Sequence, residues 1–273
     1  MKKRDEGKGK NRLGVLLRRW RGLRRKSQLM LALDAQVSQR HLSFIESGRA
    51  QPSREMILTI AEALEMPLRG RNEVLGAAGF APAYPERPLD VSEMTRVREA
   101  LKRVLDHHEP YPAMVLDQSW NIVMHNVAAK RIIERCIDKA ALILLSPDGR
   151  LNFMRMMFAS NGVRPRVRNW QRSAPILIAR LRLEAAAYPG SPSESLFQEL
   201  LPSAPPAFIG GADDIPLEPT VPLELEIGDA VLRLFNTLTT FGTPQDVTLQ
   251  ELRIEMSYPA DDASDTLLRQ WAV

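Results

Sequence analysis

The stretch that most constrains the fold is residues 27–53, which read SQLMLALDAQVSQRHLSFIESGRAQPS. Apolar residues recur at helical spacing on both sides of Val37, so each side has one apolar stripe to bury. These residues are Leu29, Leu31, Ala32 and Ala35 before Val37, and Leu42 and Ile45 after it. Ser38 can cap the second helix with its hydroxyl, and Gly48 can adopt the left-handed conformation that ends it. We therefore predict two short helices joined by a tight turn around one shared core.

The same residues resemble the helix-turn-helix signature of the Cro and phage-repressor (XRE) class. The matching positions are Ser27-Gln28, Leu31-Ala32, Val37-Ser38, Leu42-Ser43, Ile45-Glu46, Gly48 and Pro52. The resemblance implies that the second helix enters the major groove of double-stranded DNA. Two positions depart from the class, because Gln36 stands where a turn glycine is usual and Lys26 where an apolar residue is usual. A residue with a Cβ resists the positive φ that glycine adopts, so Gln36 is expected to strain the turn.

Further segments resemble one subfamily, the MmyB-like regulators, over most of the chain from residue 12 to about 262. These segments are RAQPSREMILTIAEALEMPLRGRNEVLGAAGFAPAY, HEPYPAMVLDQSWNIVMHN and FGTPQDVTLQELRIE. The resemblance implies a C-terminal domain that holds a small apolar effector, and a fatty acid is the type of ligand that the family suggests.

The composition limits the classes of protein to consider. A chain of 273 residues with 44% hydrophobic and 26% charged residues is long enough for two soluble domains. Cys136 is the single cysteine, so an internal disulfide cannot form and a zinc site lacks its usual ligands. No apolar run approaches the roughly 20 residues that span a bilayer. We expect a cytoplasmic protein that binds neither metal nor membrane.

Basic charge is concentrated at the N-terminus. Residues 1–26 carry twelve Lys or Arg and two acidic residues, whereas the remainder carries 25 basic and 31 acidic residues. A basic segment beside a groove-reading helix neutralises DNA phosphates and releases their counterions. The alternative is a solvated tail without a DNA contact. We interpret residues 1–10 as a basic, disordered arm.

The predicted domains follow from the apolar pattern and the proline-rich linker. An all-α helix-turn-helix domain of five helices is predicted for residues 11–84. The first helix is expected at about residues 11–25, the second and third are the two helices of the motif, and the fourth and fifth are expected at about residues 53–64 and 69–78. The stretch AGFAPAYPERP reads as a linker. Residues 85–110 form the linker and a connecting helix, and residues 111–273 form a sensor and dimerisation domain.

The second domain alternates between short strands and helices. Two strands are predicted near residues 114–116 and 122–125, followed by several helices, one of which starts or kinks at Ser173 to Pro175. Residues 203–222 read as a loop. From Leu223 the apolar period becomes two, Gly228-Asp229 makes a hairpin, residues 242–246 make a turn, and a last strand precedes a terminal helix from about Asp261. The resulting α+β domain, with a five-stranded antiparallel sheet and helices over one face, resembles a PAS sensor domain.

The candidate DNA contacts come from the resemblance and from side-chain chemistry. The base-reading candidates lie on the recognition helix or cap it: Ser38, Gln39, Arg40, Ser43 and Phe44. Arginine can bond guanine, glutamine can bond adenine, and an aromatic ring can touch a thymine methyl group. Gln28 and Arg54 are the candidate phosphate contacts. The family also implies an ion pair between Arg21 and Glu46, which is either partly buried and structural or exposed and weak.

The candidate ligand pocket is built from flexible and aromatic side chains of the second domain, since thioethers adapt to a chain-like ligand. The candidates are Met124, Met154, Met157, Trp170, Phe235 and Phe241. The alternative is that these residues are plain core. His125 could ligate haem in a PAS-like pocket, but we favour a hydrogen-bonded histidine.

Three function classes remain to be weighed. His107, His108 and His125 accompany no nucleophile elbow, phosphate loop or HExxH spacing, so an enzyme is not predicted. A ligand-responsive DNA-binding transcription regulator is favoured. It is expected to be a homodimer, since one recognition helix contacts few base pairs and this class pairs two across half-sites about 34 Å apart. The alternative is a protein-interaction or antitoxin-like module whose second domain binds a partner protein.

Overall fold

The structure is a computed structural model that describes residues 6–188, 190–205 and 223–272. The chain divides into two compact units. The first contains residues 1–87 together with 243–250, and the second contains residues 88–242 and 251–273. Each unit has its own core.

The first unit contains five helices from the N-terminal part of the chain, as predicted. Their bounds are α1 Glu6–Leu23, α2 Gln28–Asp34, α3 Gln39–Glu46, α4 Arg54–Ala63 and α5 Leu68–Ala77. The core is apolar and includes Leu17, Trp20, Leu31, Leu42, Ile45, Ile57, Ile60 and Leu75. Leu29 is an exception to the predicted stripe, because 53% of its surface is exposed.

The first helix begins earlier than the sequence indicated. It starts at Glu6 instead of about Asn11, so residues 6–10 of the expected disordered arm are helical. Residues 1–5 lie outside the described residues. The extension is consistent with helical propagation, which adds one hydrogen bond for each further residue once a helix has nucleated.

The first unit also includes a distant segment of the chain, residues 243–250. The Val247 N–H donates to the carbonyl of Pro85 at 2.8 Å, and the amide oxygen of Gln250 accepts from the Leu68 N–H at 2.6 Å. Arg87 lies 3.6 Å from the buried carboxylate of Asp246. The sequence predicts that the first domain ends near residue 84 and that residues 242–246 form a turn of the second domain. These contacts, made across more than 150 residues of chain, explain the difference.

The second unit contains most of the remaining helices and all five strands. In chain order the elements are α6 Thr95–His107, β1 Ala113–Leu116, β2 Ile122–His125, α7 Val127–Cys136, α8 Lys139–Leu145, α9 Phe153–Phe158, α10 Trp170–Ala187, α11 Pro192–Leu200, β3 Leu223–Ile227, β4 Ala230–Thr240, α12 Val247–Glu251, β5 Arg253–Pro259 and α13 Asp262–Ala272. Of α12, residues 247–250 belong to the first unit and Glu251 belongs to the second. The loop predicted at residues 203–222 lies largely outside the described residues.

The five strands form one antiparallel sheet in the order β2-β1-β5-β4-β3, which confirms the predicted fold class. The central strand β5 pairs with β1 on one side, where Met114 stands opposite Glu255. It pairs with β4 on the other side, where Asn236 stands opposite Ser257. Since side chains alternate between the two faces of a strand, Glu255 and Ser257 share one face.

Helices lie over both faces of this sheet, not over one face as predicted. On one face, Met114, Glu255 and Ser257 line a cavity with residues of α7 and α9. On the other face, Met256 lies in a recess with Val104 and His107 of α6. The reason is that β5 carries apolar side chains on the face toward α6 and polar ones toward α7 and α9.

Pro175 lies inside α10, five residues after the helix start at Trp170. The sequence had indicated a start or kink at Ser173 to Pro175. As the sixth residue it lies beyond the first turn, so α10 lacks the hydrogen bond that an N–H at this position would donate to the Gln171 carbonyl.

Candidate DNA-binding surface and ligand cavity

Two serine caps position the helix pair of the first unit. The hydroxyl of Ser27 accepts from the Met30 N–H, and that of Ser38 accepts from the His41 N–H, each at 3.1 Å. Between the two helices Gln36 takes the predicted positive φ, at 54°. A non-glycine residue in this region is strained, and the turn tolerates it because the Val37 N–H still bonds the Ala32 carbonyl at 2.9 Å. Gly48, with φ of 75°, ends α3 as predicted.

The outward face of α3 carries the predicted base-reading side chains. Gln39 and Arg40 are exposed in its first turn, with the cap residue Ser38 beside them, while Ser43 and Phe44 are half-buried one turn later. Leu42 and Ile45 are fully buried on the opposite face. The helix is therefore anchored by one side and presents two long hydrogen-bonding side chains on the other.

Arg49 joins this surface although the sequence did not single it out. Its guanidinium lies 4.5 Å from the centre of the Phe44 ring, and that of Arg40 lies 5.4 Å from the same ring. Arginine over an aromatic face is held by attraction to the ring quadrupole. The sequence signal that could have indicated Arg49 is its position directly after Gly48, where the chain turns at the end of α3.

Glu46 is the buried polar centre of the first unit, with 1% of its surface exposed. Its two carboxylate oxygens lie 2.8 and 3.1 Å from the Nε and Nη2 of Arg21, a bidentate pair. The side-chain amide of Gln28 donates to the same carboxylate at 2.7 Å. One carboxylate thus connects α1, α2 and α3, and Gln28, predicted to contact phosphate, is also held by Glu46.

Two other basic residues have defined positions. Arg54 is exposed at the first residue of α4, after the cap Ser53. Lys26, the departure from the usual apolar residue, donates to the Ala63 carbonyl at 2.6 Å and lies 2.8 Å from Asp34. A lysine is accommodated there because its aliphatic stem can pack while its ammonium group finds polar partners.

The second unit encloses a mostly apolar cavity of about 50 Å³ between the sheet and α7 and α9. Its walls are apolar side chains of the helices and strands: Ala129, Ile132, Ile133, Phe153, Met156, Met157, Val163, Met114, Leu223, Leu225 and Leu234. Ligand pockets usually enclose roughly 300–1,000 Å³, so a chain-like ligand has to displace side chains here. Met156 and Met157 are suited to this, since unbranched thioethers repack easily.

Of the six residues predicted to line a pocket, Met157 is the one found in this wall. Met154 and Trp170 are buried in the surrounding core. Phe235 lies on the face of β4 away from the cavity, because its neighbours Leu234 and Asn236 face the cavity and side chains alternate along a strand. Its ring stacks on that of Tyr258, with 5.3 Å between the ring centres. Met124 pairs with Val115, away from the Met114 face, and Phe241 follows the end of β4. For the three residues on or after strands the difference arises because alternation alone does not show which face of a strand meets the cavity. Contact of the six residues with a ligand stays a prediction.

The polar end of the cavity contains Glu255 and Asn236, neither of which was singled out from the sequence. Glu255 is 2% exposed and accepts a hydrogen bond of 2.5 Å from the side-chain amide of Asn236. Burial raises the pKa of the Glu255 carboxyl, against the opposing influence of Arg180, the Asn236 amide and Arg253. The sequence signal that could have pointed to Glu255 is a glutamate between the apolar residues Ile254 and Met256 of the predicted last strand.

The remaining titratable groups considered from the sequence are dispersed. Burial raises the pKa of the Cys136 thiol to about 11, which keeps it protonated at neutral pH. His108 contacts the Ser257 carbonyl at 2.9 Å, His107 the Arg103 carbonyl at 2.8 Å, and His125 the Asn126 carbonyl at 3.1 Å. Each of these histidines therefore has a backbone partner, which is the hydrogen-bonded role favoured above for His125.

Comparison with known solved structures and curated proteins adds little. A solved structure described as an RNA-binding Light-Oxygen-Voltage receptor matches with 12% identity and a TM-score of 0.26, covering 99% of this chain and 64% of that one. The present chain thus spans under two thirds of that protein, and a likeness this weak carries no argument about fold or function. No curated protein matches. Every helix within residues 6–188, 190–205 and 223–272 is too short or too polar to cross a bilayer.

Comparison with protein families is informative for both units. The helix-turn-helix family matches residues 17–70, which contain α2, α3 and α4 and the adjoining ends of α1 and α5. The family described as the MmyB-like transcription regulator ligand binding domain matches residues 97–270, more than half of the chain. These matches fall on the two sites described above and identify a DNA-binding transcription regulator with a ligand-binding domain. The chain belongs to the family of MmyB-like transcription regulators.

Proposed function

We propose that this protein is a cytoplasmic regulator that reads a specific DNA sequence as a homodimer and changes its DNA binding when a small apolar effector enters the second unit. The observation that supports DNA reading is the outward face of α3. It exposes Gln39 and Arg40 over a buried anchor, and Glu46 ties the same helix to α1 and α2. Rigid placement matters because base contacts tolerate little displacement.

The base-reading residues divide by their chemistry. Arg40 is suited to the paired acceptors of guanine and Gln39 to the donor and acceptor of adenine. Ser38 and Ser43 can accept or donate, and Phe44 can touch a thymine methyl group. The Arg49 guanidinium lies against the Phe44 ring and adds a positive charge to this surface. Gln28 and Arg54 are proposed to contact phosphates, which positions the helix without selecting a sequence.

Replacing Arg40 with alanine should weaken binding to the specific site by about 1–3 kcal/mol and relax the preference at one or two base pairs. Arg54→Ala is the matched comparison, because a lost phosphate contact should weaken specific and random DNA alike. Binding isotherms on an inverted repeat, a single half-site and random DNA measure both effects. Equal losses on specific and random DNA for Arg40→Ala would contradict base reading, and equal affinity for half-site and inverted repeat would contradict the dimer.

The effector proposal rests on the cavity between the sheet and α7 and α9. Its wall is apolar and contains adaptable methionines, which is the chemistry that accepts an alkyl chain. A fatty-acid-like molecule is the class that we propose. A ligand that binds one arrangement of the two second units better than another would shift the spacing of the recognition helices, and so change DNA affinity.

Filling the cavity should abolish effector binding while leaving the DNA surface intact. Ile132→Trp places a larger ring in the wall, whereas Val127→Trp on the exposed side of α7, where the native residue is 54% exposed, is the matched control. An apolar compound should be recovered by organic extraction and mass spectrometry from the wild-type and Val127→Trp proteins and be depleted from Ile132→Trp. Equal recovery from all three would contradict binding at this site.

A further inference from the structure

The polar end of the cavity contains two buried acceptor atoms that the protein itself leaves unsatisfied. Asn236 uses its amide nitrogen on Glu255 Oε1. Within the described part of the chain, neither Glu255 Oε2 nor Asn236 Oδ1 has a hydrogen-bond partner, and both atoms are buried. Both residues line the cavity whose other walls are apolar. Buried polar atoms without a partner are rare and costly, so this pair is a strong indication of a polar group that binds between them.

The position of the pair shows that a group in the cavity can reach both atoms. Glu255 lies on the central strand β5 and Asn236 on its neighbour β4, with both side chains on the face toward α7 and α9. Leu234 precedes Asn236 on that face, and Met114 stands opposite Glu255. These two neighbours are apolar, whereas Ser257, which stands opposite Asn236 on the same face, carries a hydroxyl. A group that satisfies both free acceptor atoms can enter from the cavity beside them.

The chemistry of the two atoms restricts the group. With its nitrogen committed to Glu255, Asn236 offers an oxygen that can only accept a hydrogen bond. Glu255 Oε2 accepts when the carboxyl is ionised and donates when it is protonated. When Glu255 is protonated, the form that burial favours, a hydroxyl donates to Asn236 and accepts from Glu255. A primary amide has two N–H groups and a carbonyl, so it can satisfy Asn236 and either form of Glu255. An ionised carboxylate has no proton for Asn236 and is repelled by an ionised Glu255.

We propose that the effector is an alkyl compound with a neutral, hydrogen-bond-donating head group, a hydroxyl or primary amide, bound between Glu255 and Asn236. This deepens the proposed effector binding and rests on it. The alkyl chain lies among the apolar walls. A fatty acid in this site has to bind as its neutral acid.

Direct binding to the full chain separates the alternatives. The probes are 1-decanol, decanamide, decanoate and decylamine at neutral pH, followed by isothermal titration calorimetry below their micelle-forming concentrations. We expect 1-decanol and decanamide to bind about tenfold or more tightly than decanoate, the scale of one unpaired polar contact. Decanoate or decylamine binding as tightly as 1-decanol would overturn the head-group assignment. Failure of all four to bind would instead contradict the proposed effector binding itself.

Isosteric variants locate the selectivity at these atoms. Glu255→Gln can place an amide N–H at the Oε2 position, so it should narrow or reverse the preference against decanoate while retaining 1-decanol binding. Asn236→Leu removes the accepting oxygen and should also reduce the preference. Thr237→Val, on the other face of β4, is the control and should behave as wild type. Unchanged selectivity in both folded cavity variants, checked by circular dichroism, would overturn the assignment.

Discussion

Glu46→Ala should destabilise the first unit by about 3 kcal/mol, one of the two largest effects that we expect from a single substitution. Removing one partner of a buried ion pair leaves the other without compensation, which typically costs about 3–5 kcal/mol. The lower end applies here because 20% of the Arg21 side chain still reaches solvent. The substitution also removes the acceptor of the Gln28 amide, so the α1, α2 and α3 helices lose their common polar contact.

Hydrogen exchange of the full chain, read by mass spectrometry, assigns this loss to the first unit, since local exchange reports local unfolding free energy. Protection should fall across α1, α2 and α3 and remain unchanged in β4 and β5. Glu55→Ala, an exposed carboxylate in the first turn of α4, is the control and should cost under about 1 kcal/mol through the helix dipole. Similar losses for the two variants would show that the Glu46 network contributes no more than a surface charge.

Gly14→Ala should be the second large effect, with a loss of about 2–3 kcal/mol. A Cβ built at Gly14 falls 2.1 Å from the backbone carbonyl oxygen of Glu46, so α1 and α3 have to separate. Backbone cannot move aside as a flexible side chain can, and overpacking typically costs about 1–3 kcal/mol. The displaced element is the recognition helix, so specific DNA affinity should fall together with stability.

Gly22→Ala in the same helix is the matched control for this substitution. A Cβ at Gly22 meets nothing within 4 Å, so alanine should stabilise α1 by roughly 0.5–1 kcal/mol through helix propensity. Thermal unfolding and DNA titration of both variants measure the contrast. Two variants that shift stability in the same direction by the same amount would show that the close approach at Gly14 is relieved at no cost.

Short-range features of this chain were accessible from its sequence because they depend on neighbouring residues. Apolar residues at helical spacing indicated α3 and α4, and Ser38 and Ser53 were predicted as caps because their hydroxyls reach only the next turn. The positive φ of Gln36 followed from the resemblance to the helix-turn-helix class, in which a turn glycine is usual at this position. Alternation of apolar residues predicted β3 and the hairpin at Gly228. These inferences needed no knowledge of which elements meet.

Features that depend on tertiary contacts between distant elements were not predicted from the sequence. Arg49 reaches Phe44 only because the chain reverses after α3. Residues 243–250 belong to the first unit through contacts with Leu68 and Pro85, partners that no local pattern indicates. Residues 6–10 were assigned to a disordered arm from their charge, although the helix that begins at Glu6 includes them.

The sequence by itself determined the two domain types, the helix-turn-helix and its capped recognition helix, because caps and apolar periods act within a few residues. Only the tertiary structure decided which face of β5 faces α7 and α9. A strand has two faces, and alternation alone does not say which of them meets the cavity. In this protein both faces of the sheet are covered, so the polar face of β5 is buried and Glu255, not Phe235, lines the cavity between the sheet and α7 and α9.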